Sequence, residues 1–89
     1  MNLSEEMFRQ LTNNRSYFKT DLHSAAYYGE SLEIAYTQGQ IHIVETSFSM
    51  QGPGASKEES RHTKESFARW VQSQNPQKKR AFEVWVRAR

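Results

Sequence analysis

The feature that most constrains the fold of this chain is a pair of β-favouring runs joined by a glycine turn. Apolar and polar side chains alternate in the first run, from Leu32 to Tyr36. Gly39 follows, and glycine supplies the positive φ that a tight hairpin turn needs. The run after the turn is again rich in β-favouring residues. The sequence therefore predicts an antiparallel hairpin with strands at 31–37 and 40–49.

Two amphipathic helices are predicted on either side of this hairpin. The first covers residues 4–13, because Ser4 can cap it and glutamates follow in the first turn, where the helix dipole favours anions. The second covers residues 63–74, because Thr63 can cap it and an apolar stripe follows. That stripe consists of Phe67, Trp70 and Val71.

Three further segments complete the predicted element order. Residues 16–22 carry aromatic and β-branched side chains and are predicted as a strand. Residues 51–62 are rich in Gly, Ser and charge and are predicted as a flexible loop, whereas residues 81–88 alternate as a final strand. The sequence thus predicts an α+β fold in the order α-(β)-β-β-α-β. In it, a three- to four-stranded antiparallel sheet carries both helices on one face.

The length of 89 residues predicts a single domain, 1–89, with a small core. The chain has no cysteine, so neither a disulfide nor a thiolate zinc site can stabilise it. Stability must come from packing, with dimerisation as an additional contribution. The predicted core consists of Leu3, Met7, Leu11, Leu32, Ile34, Ile43, Phe67, Trp70, Val71, Phe82, Val84 and Val86.

Charge is distributed unevenly along the chain. Residues 1–56 hold three Lys/Arg and six Asp/Glu, whereas residues 57–89 hold nine and four. A basic C-terminal part of this kind favours nucleic acid or an acidic protein as its partner. The first residues lack the apolar run of a signal peptide, and no stretch is long and apolar enough for a membrane span. We therefore expect a cytoplasmic protein without membrane association.

No motif for catalysis is recognisable in the sequence. His23, His42 and His62 lie on separate predicted elements, and only His23 has a possible metal ligand, Asp21, close by. The glycines of the 51–62 loop lack the Lys-Ser/Thr ending of a phosphate-binding loop. We therefore expect a non-enzymatic protein without catalytic residues, cofactor or metal.

The basic and aromatic residues instead indicate a binding surface. Arginine and exposed aromatic side chains commonly anchor protein interfaces, so another protein is the expected partner and a homodimer is an open alternative. Nucleic acid is kept as an alternative, because an exposed Trp85 could stack on a base while cations hold phosphates. The candidate partner-binding residues are Lys78, Lys79, Arg80, Trp85, Arg87, Arg89, Tyr27 and Tyr28.

Several motifs follow one another within residues 17–73: Phe18-Lys19-Thr20, the Leu32 to Ala35 strand, the Ile41 to Thr46 strand, Gly52-Pro53 and the helix from Thr63 to Val71. In this order they resemble a small actinobacterial family of regulators of unknown function. The chain departs from the family pattern at Ser31, where a Cys is usual, and at Glu45-Thr46-Ser47.

The resemblance implies a regulatory protein encoded beside a helix-turn-helix transcription regulator, which would be its partner. It carries over no catalytic residue. A different interpretation is an inhibitor encoded by a phage or mobile element that blocks a host nuclease or defence complex. Both interpretations predict binding to a protein, and they differ in the identity of that protein.

Overall fold

The computed structural model describes residues 2–25, 28–49 and 55–88. Within these residues, seven elements follow one another: α1 (Leu3–Asn13), β1 (Phe18–Ala25), β2 (Tyr28–Thr37), β3 (Gln40–Ser49), β4 (Ser56–His62), α2 (Lys64–Gln72) and α3 (Pro76–Arg87). The strands form one antiparallel sheet in the order β1-β2-β3-β4. The predicted α+β class and antiparallel sheet are confirmed. Within the described residues, no helix is long and apolar enough to cross a membrane.

The predicted central hairpin is confirmed. Strands β2 and β3 pair in unbroken register from Tyr28 opposite Ser49 to Thr37 opposite Gln40. Both residues of the connecting turn have positive φ, 53° at Gln38 and 80° at Gly39. This is the combination that a two-residue type I′ turn requires, and its twist matches that of the strands.

The prediction of a flexible loop over 51–62 is wrong for the second half of that segment. Residues 56–62 form β4, which pairs with β3 from Ser56 opposite Ser47 to His62 opposite Ile41. A strand at the edge of a sheet needs no apolar side chains, because backbone hydrogen bonds to one neighbour hold it and its free side faces water. Residues 51–54 lie outside the part of the chain that the structure describes.

The prediction of a final strand over 81–88 is also wrong, because this segment belongs to helix α3. The Asn75 side chain caps the helix by accepting a hydrogen bond from the Lys78 N–H at 2.8 Å. Pro76 occupies the first turn, where its missing N–H costs nothing. Phe82 and Val86 are four residues apart and therefore share the buried face of the helix.

Of the two predicted N-terminal caps, that of α1 is wrong and that of α2 is confirmed. Asn2, and not Ser4, caps α1, and its side chain accepts from the Glu5 N–H at 3.2 Å. The Ser4 hydroxyl donates to the same Asn2 oxygen at 3.0 Å. Thr63 caps α2 as predicted, with its hydroxyl accepting from the Ser66 N–H at 3.2 Å.

The core lies between the helices and one face of the sheet, at the end nearest the Gly39 turn. Its members are Met7, Leu11, Phe18, Leu32, Ile34, Ile41, Ile43, Phe67, Val71, Phe82 and Val86. Phe18 and Ile41 were missing from the predicted core, whereas Leu3 and Trp70 are only partly buried against it. Val84 was predicted to be buried, but its residue surface is 64% exposed.

Candidate functional site

The three consecutive basic residues of α3 do not form one patch. In a helix each residue turns about 100° from the last, so Lys78 and Lys79 lie on opposite flanks of the buried face. The Lys78 ammonium donates to the Gln74 side chain at 3.3 Å, whereas Lys79 lines a groove between α3 and the N-terminus of α1. Arg80 points away from both and is exposed. The structure therefore divides the predicted site.

Arg80 and Arg87 lie on the same side of α3, and Val84 lies between them. These three exposed residues, called here the α3 outer face, are opposite the buried Phe82 and Val86. Arg87 follows Arg80 by seven positions, which is a rise of about 10 Å along the helix axis. Neither arginine side chain makes a hydrogen bond or ion pair with the residues that the structure describes.

Trp85 is not the exposed aromatic residue that the sequence predicted. Its ring meets that of Phe18 edge-on, with centroids 5.9 Å apart, and it packs against the core. Phe18 in turn contacts Phe82 at 5.2 Å, so all three rings belong to the contact between α3 and β1. Trp85 is therefore partly buried in this contact, where it stabilises the helix on the sheet.

The remaining predicted binding residues are described only in part. Tyr28 begins β2 and pairs with Ser49, but its side chain lies outside the described part of the structure. Tyr27 and Arg89 lie outside the described residues altogether. Among the predicted binding residues, the structure therefore describes the side chains of only those in helix α3.

Lys78 faces an acidic region of the sheet. A shallow pocket of about 160 Å³ lies on the sheet beyond the part that the helices cover. It is lined by Lys78 and by three glutamates, Glu30, Glu45 and Glu58. Glu45 and Glu58 are direct cross-strand neighbours. Like charges in that position destabilise a strand pair, and Lys78 adds a positive charge to the lining of the same pocket. Among the described residues, no group of three potential ligands is arranged to hold a metal ion.

The sequence analysis did not identify a small hydrogen-bonded cluster around His62. Its Nε2 lies 2.9 Å from the Ser60 hydroxyl, and its Nδ1 is hydrogen-bonded to the Ser66 hydroxyl at the start of α2. Burial beside Trp70 lowers the pKa of the His62 imidazole, because desolvation disfavours its charged form. The sequence feature that indicates this cluster is the close spacing of Ser60, His62 and Ser66 across the junction between β4 and α2.

The His62 cluster has only part of the geometry of a serine nucleophile and its base. A hydroxyl, and not a carboxylate, occupies the position that would orient the imidazole. Ser60 is exposed on the edge strand of the sheet. The His62–Ser66 hydrogen bond joins β4 to the first turn of α2, which is a structural role, whereas the Ser60–His62 hydrogen bond lies within β4.

The face of the sheet opposite the helices carries cross-strand polar pairs. Lys19 pairs with Glu33 at 3.4 Å, and His42 lies 3.1 Å from Glu59. Phe48 lies on the same face, and its residue surface is 46% exposed there. Pairs of this kind suit a solvated sheet surface.

Comparison of the chain with protein-family models, with curated proteins and with solved structures found no match.

Proposed function

We propose that this chain is a small non-enzymatic regulatory protein that acts by binding another protein through the α3 outer face. The observation that carries the proposal is the exposure of Val84 between Arg80 and Arg87, opposite the buried side of the helix. A valine exposed to this extent contributes nothing to the core of its own chain. An amphipathic helix with a second, partly apolar surface is a recurrent form of protein-recognition element.

The chemistry of this face defines the class of partner. Two arginines whose backbone positions lie about 10 Å apart along the helix axis can each form paired hydrogen bonds with a carboxylate, and the valine between them favours an apolar contact. The complementary surface is therefore acidic at its rim and apolar at its centre. Arginine is enriched at such interfaces and frequently carries a large share of the binding energy.

The same geometry favours protein over nucleic acid. Lys78 and Lys79 are directed to different flanks of the helix, and Trp85 is packed against Phe18. A phosphate backbone is bound by a continuous row of cations, and single-stranded bases need an exposed aromatic ring. Arg80 and Arg87 alone supply neither.

The proposal can be tested by crosslinking from the α3 outer face. A photo-crosslinking amino acid replaces Val84 in one protein and the exposed turn residue Gln38 in a matched control, and both are irradiated in cells. We expect one protein to be captured from position 84 and not from position 38. Capture should be lost when Arg80→Glu and Arg87→Glu are added.

The identity of the captured protein separates the two kinds of partner that the sequence indicated. A helix-turn-helix transcription regulator would support a regulator, and a nuclease or defence protein would support an inhibitor. With the purified partner, the double charge reversal should weaken binding at least about tenfold, since each arginine contact contributes about 1 kcal/mol or more. Recovery of nucleic acid with a steep salt dependence, and of no protein, would contradict the proposal.

A further inference from the structure

Among the described residues, strand β4 has a neighbouring strand on only one side. It pairs with β3 along Ser56–His62, and all of its residues are exposed except His62, which is partly buried. Its other side carries the backbone N–H and C=O groups of an edge strand, which pair readily with another strand. The charges on β4 determine which strand that can be.

A second copy of the chain can meet this edge by pairing β4 with β4 in antiparallel orientation. A two-fold axis perpendicular to the sheet keeps the helices of both copies on the same side. Opposite residues of the two strands must point to the same face of the sheet, and side chains alternate between the faces with a period of two. The axis must therefore lie midway between the two copies of one residue. The central choices for that residue are Glu58, Glu59, Ser60 and Arg61.

The charge pattern distinguishes these four registers. Centring the axis on Glu58, Glu59 or Arg61 places that charged residue opposite its own copy, which is destabilising. Centring it on Ser60 places two small hydroxyl side chains together. It also places Glu59 opposite Arg61 of the second copy, and this pair occurs twice because of the symmetry.

The other residues of β4 are compatible with the register centred on Ser60. Glu58 lies opposite His62 of the second copy, so no like charges meet between positions 58 and 62. Glu59 lies 3.1 Å from His42 in its own chain, and a carboxylate has acceptor capacity for a second donor. A charged edge disfavours pairing with an arbitrary strand, so complementarity to itself selects one partner and one register.

We propose that two copies of this chain associate through β4, in antiparallel register centred on Ser60, to form a continuous eight-stranded sheet. Helix α3 packs over β1, at the opposite edge of the sheet. Both α3 outer faces therefore stay exposed in the dimer. Dimerisation through β4 does not depend on the function of the α3 outer face. It involves the opposite edge of the sheet, and its partner is a second copy of the chain.

A single cysteine provides a direct test, because the chain has none of its own. In the proposed register the two Ser60 Cα atoms lie about 4.5–5.5 Å apart, which suits a disulfide. The two Ser56 Cα atoms lie about 27 Å apart, eight strand positions from each other. Ser60→Cys should form a covalent dimer under mild oxidation, and the matched control Ser56→Cys, on the same face of the same strand, should not.

Charge variants test the register without changing Ser60. Glu59→Arg places arginine opposite Arg61 twice, and Arg61→Glu places glutamate opposite Glu59 twice. Each should weaken dimerisation roughly tenfold in sedimentation velocity, because two cross-strand pairs change from attraction to repulsion. Combining the two substitutions restores opposite charges and should restore the dimer.

Three results would overturn the proposal. The first is a natural chain that remains monomeric up to about 1 mM, where even weak association becomes measurable. The second is crosslinking of Ser56→Cys as efficient as that of Ser60→Cys. The third is a double charge variant that dimerises no better than either single variant.

Discussion

The aromatic ring of Phe48 lies over the backbone of Gly29, its direct partner on the neighbouring strand. A Cβ atom at position 29 would lie 2.3 Å from Cε1 of that ring. Glycine weakens a strand because it has no side chain to pack, and an aromatic ring across the strand can replace that packing. The partial exposure of Phe48 is thus coupled to the absence of a side chain at position 29.

This relationship predicts that the effect of Gly29→Ala depends on residue 48. In the natural chain the substitution should lower the free energy of unfolding by about 1–2 kcal/mol, because the ring must leave its position. In a Phe48→Ala background the same substitution should be neutral or stabilise by up to about 1 kcal/mol, since alanine suits a strand better than glycine does. Urea unfolding of the four proteins measures the coupling. Additive effects would show that the ring moves aside without cost.

Two valines of α3 should respond differently to truncation, although the sequence placed both in the core. Val84→Ala should change the free energy of unfolding by less than about 0.5 kcal/mol, since the side chain is exposed and alanine favours a helix. Val86→Ala should cost about 1–3 kcal/mol, because it leaves a cavity beside the core. Thermal and urea unfolding give both values. Equal and large losses would favour the strand that alternation predicted.

The sequence predicted the central hairpin and α2 correctly, because each has a strong local signal. Gly39 specifies the turn between β2 and β3, and Thr63 caps an apolar stripe with helical spacing. A local pattern of this kind is sufficient to predict an element when the neighbouring elements are compatible with the same fold. The wrong predictions occur where two local signals compete or where no local signal exists.

Helix α3 shows the first kind of difficulty. Phe82, Val84 and Val86 alternate as in a strand, but Phe82, Trp85 and Val86 also repeat the helical spacing of Phe67, Trp70 and Val71. The Asn75-Pro76 start signal resolves the conflict in favour of the helix. The exposed Val84 is the residue that made the strand pattern look continuous.

Strand β4 shows the second kind of difficulty. Its sequence, SKEESRH, has neither β-branched nor aromatic residues. It forms a strand because β3 offers an unpaired edge, and that is tertiary context. For the candidate site, the sequence could predict only that the segment is basic. Lys78, Lys79 and Arg80 point in three different directions because the segment is a helix, which the sequence analysis did not predict.

The cap of α3 is expected to contribute measurably to stability. Asn75→Ala removes the side chain that accepts from the Lys78 N–H and should lower the free energy of unfolding by about 1 kcal/mol. Asn75→Asp retains an acceptor at the same place and should remain close to the natural chain. Urea unfolding of the two variants is the measurement. A loss of equal size in both would mean that the asparagine acts in some way other than as a cap.

Trp85→Ala should destabilise the fold. The ring packs on Phe18, which in turn contacts Phe82, at the contact between α3 and β1, so its removal should cost about 2–3 kcal/mol. Arg87→Ala, two residues away and exposed, is the matched control and should change stability by less than about 0.5 kcal/mol. Calorimetric or urea unfolding separates the two. An unchanged stability in Trp85→Ala would return this residue to the list of candidate interface anchors.

Stability should depend on pH through His62. Burial lowers the pKa of its imidazole in the folded chain below the ordinary value of 6.5, so the unfolded chain binds the proton more readily. The contribution of His62 is therefore complete above about pH 6.5 and is lost as the pH falls from there toward the lowered pKa.

Two measurements check the dependence on His62. An NMR titration of the ring should give a pKa below 6.5, and the change in urea midpoint between about pH 7.5 and 5.5 should be smaller in His62→Gln than in the natural chain. His42→Gln removes the other described imidazole and should retain the part of the change that belongs to His62. An imidazole pKa above 6.5 would show instead that the two serine hydrogen bonds favour the charged form over the neutral one. In that case stability would decrease as the pH rises through the folded pKa, opposite to the direction expected from burial.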